Sequence, residues 1–209
     1  MTCICAAVVD GTVYMGGDSA GIAGLSITIR DDPKVFTNGP FVFGFTSSFR
    51  MGNLLRFKFC PPQQNVHQDD MEYMVTDFVD SLRRCFSQNG FGDKEATIGG
   101  TFLVGYKGVL YTLESDYQVG LPSLQYDAVG CGADLALGSL HTTAALKIDP
   151  EKRIVMALEA ATTFSAGVAP PFIVVAQEPP EPAPPPAKVR AKTSKKTIPA
   201  KVKNKAARR

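Results

Sequence analysis

The sequence predicts an α+β fold: two stacked, mainly antiparallel sheets with a helical layer outside each, a four-layer αββα sandwich. Three observations predict it. Strand-like and helix-like segments come in blocks, in the order strands, two helices, strands, two helices, strand. The first strand, CICAAVV, is apolar in both alternating phases, as a strand covered on both faces must be. With 44% apolar and 20% charged residues in 209, the chain has the composition of one sizeable globular domain over most of its length.

Cys3, Cys5, Ala7 and Val9 occupy one phase of the first strand, and Ile4, Ala6 and Val8 the other. Asp10-Gly11 is a tight-turn signal, so Thr12 to Met15 returns and a hairpin fills roughly residues 3–16. Thr2 therefore stands at the fixed end of a central strand. A second hairpin covers about residues 34–46 and turns at Gly39-Pro40. An amphipathic helix starts near Ser47-Ser48 and runs through Met51, Leu54 and Leu55 towards Phe59, before Pro61-Pro62. Phe49, Leu54 and Phe57 give this helix more apolar surface than one face needs. DDMEYMVTDFVDSLRRCF has an acidic first turn and then Met71, Met74, Val75, Phe78, Val79, Leu82 and Phe86 at helical spacing. Ile98–Val104 and Val109–Leu113 form a hairpin about Lys107-Gly108, and Tyr126–Val129 is a further strand. Helices over Leu135–Leu146 and from Glu151 to about Ala166 precede a final strand, Phe172–Val175.

The composition breaks near Gln177, dividing the chain into a domain over 1–177 and a tail over 178–209. The tail, EPPEPAPPPAKVRAKTSKKTIPAKVKNKAARR, holds ten Lys and Arg against Glu178 and Glu181, a net charge of +8. The whole chain carries +2, so residues 1–177 carry −6. The proline-rich part favours extended polyproline geometry, and the lysine-rich part cannot bury enough surface to fold alone; both are expected to be disordered. Such a tail is either a solubilising segment or a weak nucleic-acid contact made to the phosphate backbone, since it has no aromatic residue to stack on bases.

No apolar run reaches the ~18 residues of a membrane helix, and no charged-then-apolar signal precedes the first strand, so a cytoplasmic protein with no membrane contact is expected. The five cysteines (Cys3, Cys5, Cys60, Cys85, Cys131) are odd in number and lack metal-ligand spacing. They read as small hydrophobes in a reducing compartment, and neither metal nor cofactor is expected. His67 reads as a loop residue and His141 as a helix-surface residue.

The element order, together with Thr2, Gly17-Asp18, Lys34, Gly44 and Gly130-Cys131-Gly132, resembles the N-terminal-nucleophile hydrolases, and within them the proteasome β-subunit family and its HslV-like members. The resemblance covers about residues 2–176. It implies that Met1 is removed, that Thr2 is the nucleophile and that its own α-amine is the base. A threonine hydroxyl is a poor nucleophile without such a base, and an α-amine titrates near pH ~7.7–8.0, where it can accept a proton. Lys34, opening the strand VFTNGPFVFGF, would lie beside Thr2 and lower the pKa of amine and hydroxyl; Asp18 would keep the lysine charged and aimed. Gly44 matches the family glycine whose N–H faces the oxyanion.

Two positions depart from the family pattern. Cys131 stands where the family usually has serine in a Gly-Ser-Gly turn, and a thiol is the weaker hydrogen-bond donor. In Thr162-Thr163-Phe164-Ser165-Ala166-Gly167, Thr162 takes the family's acidic place and Ser165 its serine place. The resemblance implies a threonine-type endopeptidase in a ring or barrel of identical subunits. A peptide or unfolded-protein substrate and an ATPase unfoldase are the candidate partners. Two other classes share the fold: a non-catalytic oligomeric scaffold whose basic tail binds a polyanion, and an amidase acting on a small amide.

Overall fold

A computed structural model describes residues 1–91 and 99–179. The strand expected to begin at Ile98 therefore starts outside the described residues, as does most of the expected tail. The strands are β1 (Cys3–Val9), β2 (Thr12–Gly17), β3 (Ala20–Ala23), β4 (Ser26–Ile29), β5 (Val35–Asn38), β6 (Phe41–Phe45), β7 (Phe102–Tyr106), β8 (Val109–Leu113), β9 (Val119–Gly120), β10 (Tyr126–Gly130) and β11 (Ile173–Gln177). The helices are α1 (Phe49–Phe57), α2 (Asp70–Tyr73), α3 (Val79–Gln88), α4 (Ala133–Thr143) and α5 (Pro150–Phe164).

One sheet has the order β10-β1-β2-β11, the other β5-β6-β7-β8-β9, and every pairing is antiparallel. The two phases of β1 explain the stacking. Ile4 and Ala6 meet Val13, Met15, Val42 and Leu103 between the sheets, while Cys3, Cys5 and Ala7 face Ile154, Ala157 and Leu158 of α5 on the outside. β6 divides likewise: Val42 points between the sheets, and Phe41, Phe43 and Phe45 pack against Leu54, Phe78 and Leu82 of the other helical layer. The four-layer α+β sandwich is thus laid down by strands that alternate two kinds of apolar contact.

Turn and cap chemistry place the elements. Asp10 and Gly11, with φ of 50° and 78°, and Lys107 and Gly108, with 49° and 77°, close two hairpins with the positive φ pairs that two-residue turns need. Ser48 caps α1, Asp69 caps α2 and Asp149, ahead of Pro150, caps α5.

Several expectations are corrected in detail. Between α2 and α3 the helix passes through a π-helical turn at Met74–Phe78, which swings Phe78 into the aromatic cluster of Phe41, Phe43 and Phe59. α4 begins at Ala133 rather than Leu135 and ends at Thr143; α5 ends at Phe164 because Ser165 is extended. Leu54 is buried in the core and leaves Phe57 as the exposed aromatic of α1. The hairpin β3–β4 was not foreseen; it stands apart from both sheets and exposes Leu25, Ile27 and Ile29. His67 and His141 are exposed as expected. No helix among the described residues is long and apolar enough to cross a membrane.

Candidate active site

β1 presents Thr2 at its start, where pairing of Cys3 with Gly130 and of Ile4 with Gly17 holds the chain from both sides. Gly130 must be glycine: its φ is 99°, and a Cβ there would lie 2.2 Å from the Thr2 carbonyl oxygen. Gly17 ends β2 and hands Asp18 to the same end of the sheet, while Lys34 enters just before β5 in the facing sheet. The three side chains meet between the two sheets.

Lys34 Nζ donates to Thr2 Oγ1 at 3.0 Å, to Asp18 Oδ1 at 2.8 Å and to the Ala20 carbonyl at 2.7 Å. Three acceptors match the three donors of a protonated ammonium. The lysine and aspartate side chains are 1% and 0% exposed, so neither charge has solvent as an alternative partner. Burial pushes the Lys34 pKa below its ordinary value, and the Asp18 carboxylate opposes that push. Asp18 is itself fixed by backbone donors: Cys3 N–H to Oδ1 at 3.0 Å, Ala20 N–H to Oδ2 at 3.0 Å and Ala169 N–H to Oδ2 at 3.4 Å. The carboxylate therefore ties the first strand, the β3 entry and the approach to β11 to one lysine.

On the other side of Thr2, its backbone N–H donates to Cys131 Sγ at 3.3 Å, and the Cys131 thiol donates to the Thr2 carbonyl at 3.4 Å. Ser165 Oγ donates to the same sulfur at 3.7 Å and accepts from Gly167 N–H at 3.3 Å. Cys131 is exposed and belongs to the cluster, whereas Cys3 is buried beneath it and burial, with Asp18 nearby, pushes its thiol up to about 12. Thr162 Oγ1 is buried without a hydrogen bond, so the threonine in the acidic place adds nothing polar to this network. Thr2 Oγ1 donates to the Met1 carbonyl.

Gly44 is corrected. It sits within β6, paired with Val35 and Leu103, and a Cβ on it would lie 2.4 Å from Ile4 Cγ2 and 2.8 Å from Met15 Sδ. Its requirement is close sheet-to-sheet packing, and it does not border the cavity at Thr2. Ser47, three residues on, does: it has φ of 66°, is exposed and lines a cavity of about 270 Å³ together with Thr2, Lys34, Ile22, Arg30 and Phe49. The Arg30 guanidinium lies 3.8 Å from the Phe49 ring centroid and makes a two-point ion pair with Asp32 at 2.7 and 2.6 Å. Phe49 was legible only as an apolar residue of the first helix, and Ser47 and Arg30 had no signal in the sequence, since a left-handed serine and a wall built by an unforeseen hairpin leave no periodic trace. Among the described residues no group of three or more His, Cys, Asp or Glu is arranged to hold a metal ion.

The fold is that of solved proteasome-like structures, the N-terminal-nucleophile hydrolase fold. BPH from Thiobacillus denitrificans, solved in complex with epoxomicin, superposes with a TM-score of 0.71 at 16% identity over 85% of this chain and 98% of that one. Eukaryotic HslV from Trypanosoma brucei matches with a TM-score of 0.62 at 18% identity, covering 85% of this chain and 99% of that one. The Gly-1 mutant of Anbu from Hyphomicrobium sp. strain MC1 matches with a TM-score of 0.63 at 14% identity, covering 85% and 82%. No protein-family model matches the sequence, and no curated protein does. At these identities the likeness is one of fold.

Proposed function

We propose that the protein is a threonine-type endopeptidase whose nucleophile is the Thr2 hydroxyl and whose base is the Thr2 α-amine freed by removal of Met1. The observation that carries this reading is the Lys34 ammonium, 3.0 Å from Thr2 Oγ1 and clamped by buried Asp18, beside a substrate-sized cavity. A buried cation held against a hydroxyl stabilises the alkoxide form, and a purely structural ion pair would have no need of the threonine.

In the first step the α-amine takes the proton from Oγ1, and Oγ1 bonds to the carbonyl carbon of a peptide. The carbonyl oxygen becomes an oxyanion, for which the Ser47 N–H at the cavity wall is the proposed donor in place of Gly44. The C–N bond then breaks, the leaving amine takes the proton back from the α-ammonium, and an ester on Oγ1 remains. Water, losing a proton to the same amine, hydrolyses that ester and restores the hydroxyl. Cys131 Sγ and Ser165 orient the amine from the side opposite Lys34.

The substrate is a peptide or an unfolded protein, and the working form is an assembly of identical subunits. Exposed Leu25, Ile27 and Ile29 on β3–β4, beside the cavity, support association. Intact mass before and after treatment with an epoxyketone tests the chemistry, because the two electrophilic carbons of this class match a hydroxyl and a free amine on one residue. We expect a chain lacking Met1 that gains one inhibitor mass on Thr2. An active preparation that retains Met1 would overturn the mechanism. Activity that an epoxyketone leaves untouched would move the chemistry away from Thr2.

A further inference from the structure

Remote from Thr2, a groove of about 410 Å³ runs between the β5–β6 turn and the segment after α1. Pro40, Phe41, Pro61, Pro62 and Tyr106 make its apolar walls, with Gln63 exposed at the rim. The walls are held in place. Asn38 Nδ2 donates to the Leu55 and Phe59 carbonyls at 2.9 Å each, Tyr73 OH donates to the Pro62 carbonyl at 2.6 Å, and Phe41 stacks on Tyr106 at 4.3 Å. A preformed trough of proline and aromatic faces with an amide at its edge suits a polyproline helix, whose carbonyls are all unused.

The chain carries such a segment, and its exit points that way. β11 ends at Gln177, and the Pro179 ring lies 3.6 Å from where a Cβ on Gly11 would sit. Gly11 in turn touches the β7–β8 turn, its carbonyl oxygen lying 2.4 Å from the corresponding point at Gly108. Tyr106, the groove wall, is two residues before Gly108. Seven further residues in polyproline geometry, through Pro186, reach about 22 Å. The charge agrees with this path. Lys188, Arg190 and Lys192 follow the prolines, and beyond the groove Glu72 and Asp77 line a hollow with exposed His67. The tail carries +8 and the rest of the chain −6.

We infer that the segment Pro179–Pro186 docks into this groove of its own chain, laying the basic residues over the acidic edge at Glu72 and Asp77. The docking is independent of the chemistry at Thr2.

Cys60, an exposed free thiol in the groove wall, reports it. Its alkylation by iodoacetamide is followed in the full chain by peptide mass, with exposed Cys131 as internal reference. Replacing Pro182, Pro184, Pro185 and Pro186 together by Gly should raise the Cys60 rate about threefold or more, because a chain stripped of polyproline geometry loses its preformed shape, and should leave Cys131 unchanged. Equal Cys60 rates would overturn the docking. A second variant, Ala183→Cys, tests whose tail occupies the groove. Mild oxidation should give a disulfide to Cys60 that migrates as a single chain under non-reducing denaturing conditions. A disulfide-linked dimer would assign the groove to a neighbour's tail, and failure to link Cys60 would remove the tail from the groove.

Discussion

Lys34 is held by three acceptors, and removing either of the two side-chain acceptors or the lysine itself has a different consequence. Thr2→Ala deletes the proposed nucleophile and one acceptor of a charged donor, so hydrolysis should vanish while stability falls by about 1.5–3 kcal/mol. Lys34→Ala leaves Asp18 buried without its cation, a change that costs about 3–5 kcal/mol in comparable buried pairs, and should lower kcat/KM by at least about a hundredfold. Asp18→Asn should lower it less, since the aspartate acts through the lysine. Peptide hydrolysis by each variant, measured well below its melting temperature, checks the order; a Lys34→Ala protein at near-normal rate would rule out the assigned role. The same residue sets the pH profile. On the acid side activity should rise as the Thr2 amine, beside the Lys34 ammonium, loses its proton. Burial favours the neutral amine of Lys34, so on the alkaline side its proton leaves earlier than from an ordinary lysine at ~10.4. The plot of kcat/KM against pH should therefore be a bell whose upper limb falls below that value. An upper limb at or above it would exclude the ammonium as the working form.

At the scale of elements, β6 and its Gly44 show how closely the two sheets approach. Gly44→Ala places a methyl against Ile4 and Met15 and should destabilise the domain by about 1–3 kcal/mol, read from the denaturant midpoint. An unchanged midpoint would mean that the sheets can part without cost. Gly44 also marks where sequence reading stops. The doubly apolar β1 and the Asp10-Gly11 and Lys107-Gly108 turns announced most of both sheets, because period and turn chemistry are local properties. Thr2, Asp18, Lys34 and Cys131 were legible through the family resemblance, and their side chains do converge. Ser47 was not legible, since its positive φ follows from the path between β6 and α1 rather than from its own preference. β3–β4 was not legible either. Its second strand is exposed throughout, so its apolar residues answer to no inward-facing partner among the described residues. The π-helical turn is imposed by the aromatic cluster around Phe78 and leaves helical periodicity nearly intact.

For the whole molecule, an exposed apolar hairpin beside the cavity should be covered by another subunit. Light scattering at micromolar protein should give a mass well above the 22.4 kDa of one chain, and a monomer would favour a small-amide hydrolase over a chambered peptidase. For the basic tail the expected partner is nucleic acid. Each phosphate it contacts steepens the log–log fall of DNA affinity with salt by about 0.9, so binding should be weak, indifferent to sequence and lost at moderate salt. On the docking inferred above, competition from Glu72 and Asp77 should weaken it further. Gel shifts at low salt with and without residues 178–209 test this, and equal affinity would refute it. Peptide hydrolysis should survive the deletion, since the described groups bonded to Thr2 and its partners all lie before residue 178.

On the proposed mechanism, the bond from Thr2 Oγ1 to the Met1 carbonyl has a consequence for how hydrolysis is switched on. While Met1 is attached, the nitrogen meant to act as base is an amide, the hydroxyl is occupied, and the methionine itself lines the cavity. On that mechanism the untrimmed chain is its own stopper. Trimming becomes the activating event, and the specific activity of any preparation should scale with the fraction of chains that begin at Thr2. A fusion partner joined ahead of Thr2 would leave the fold intact and the enzyme silent.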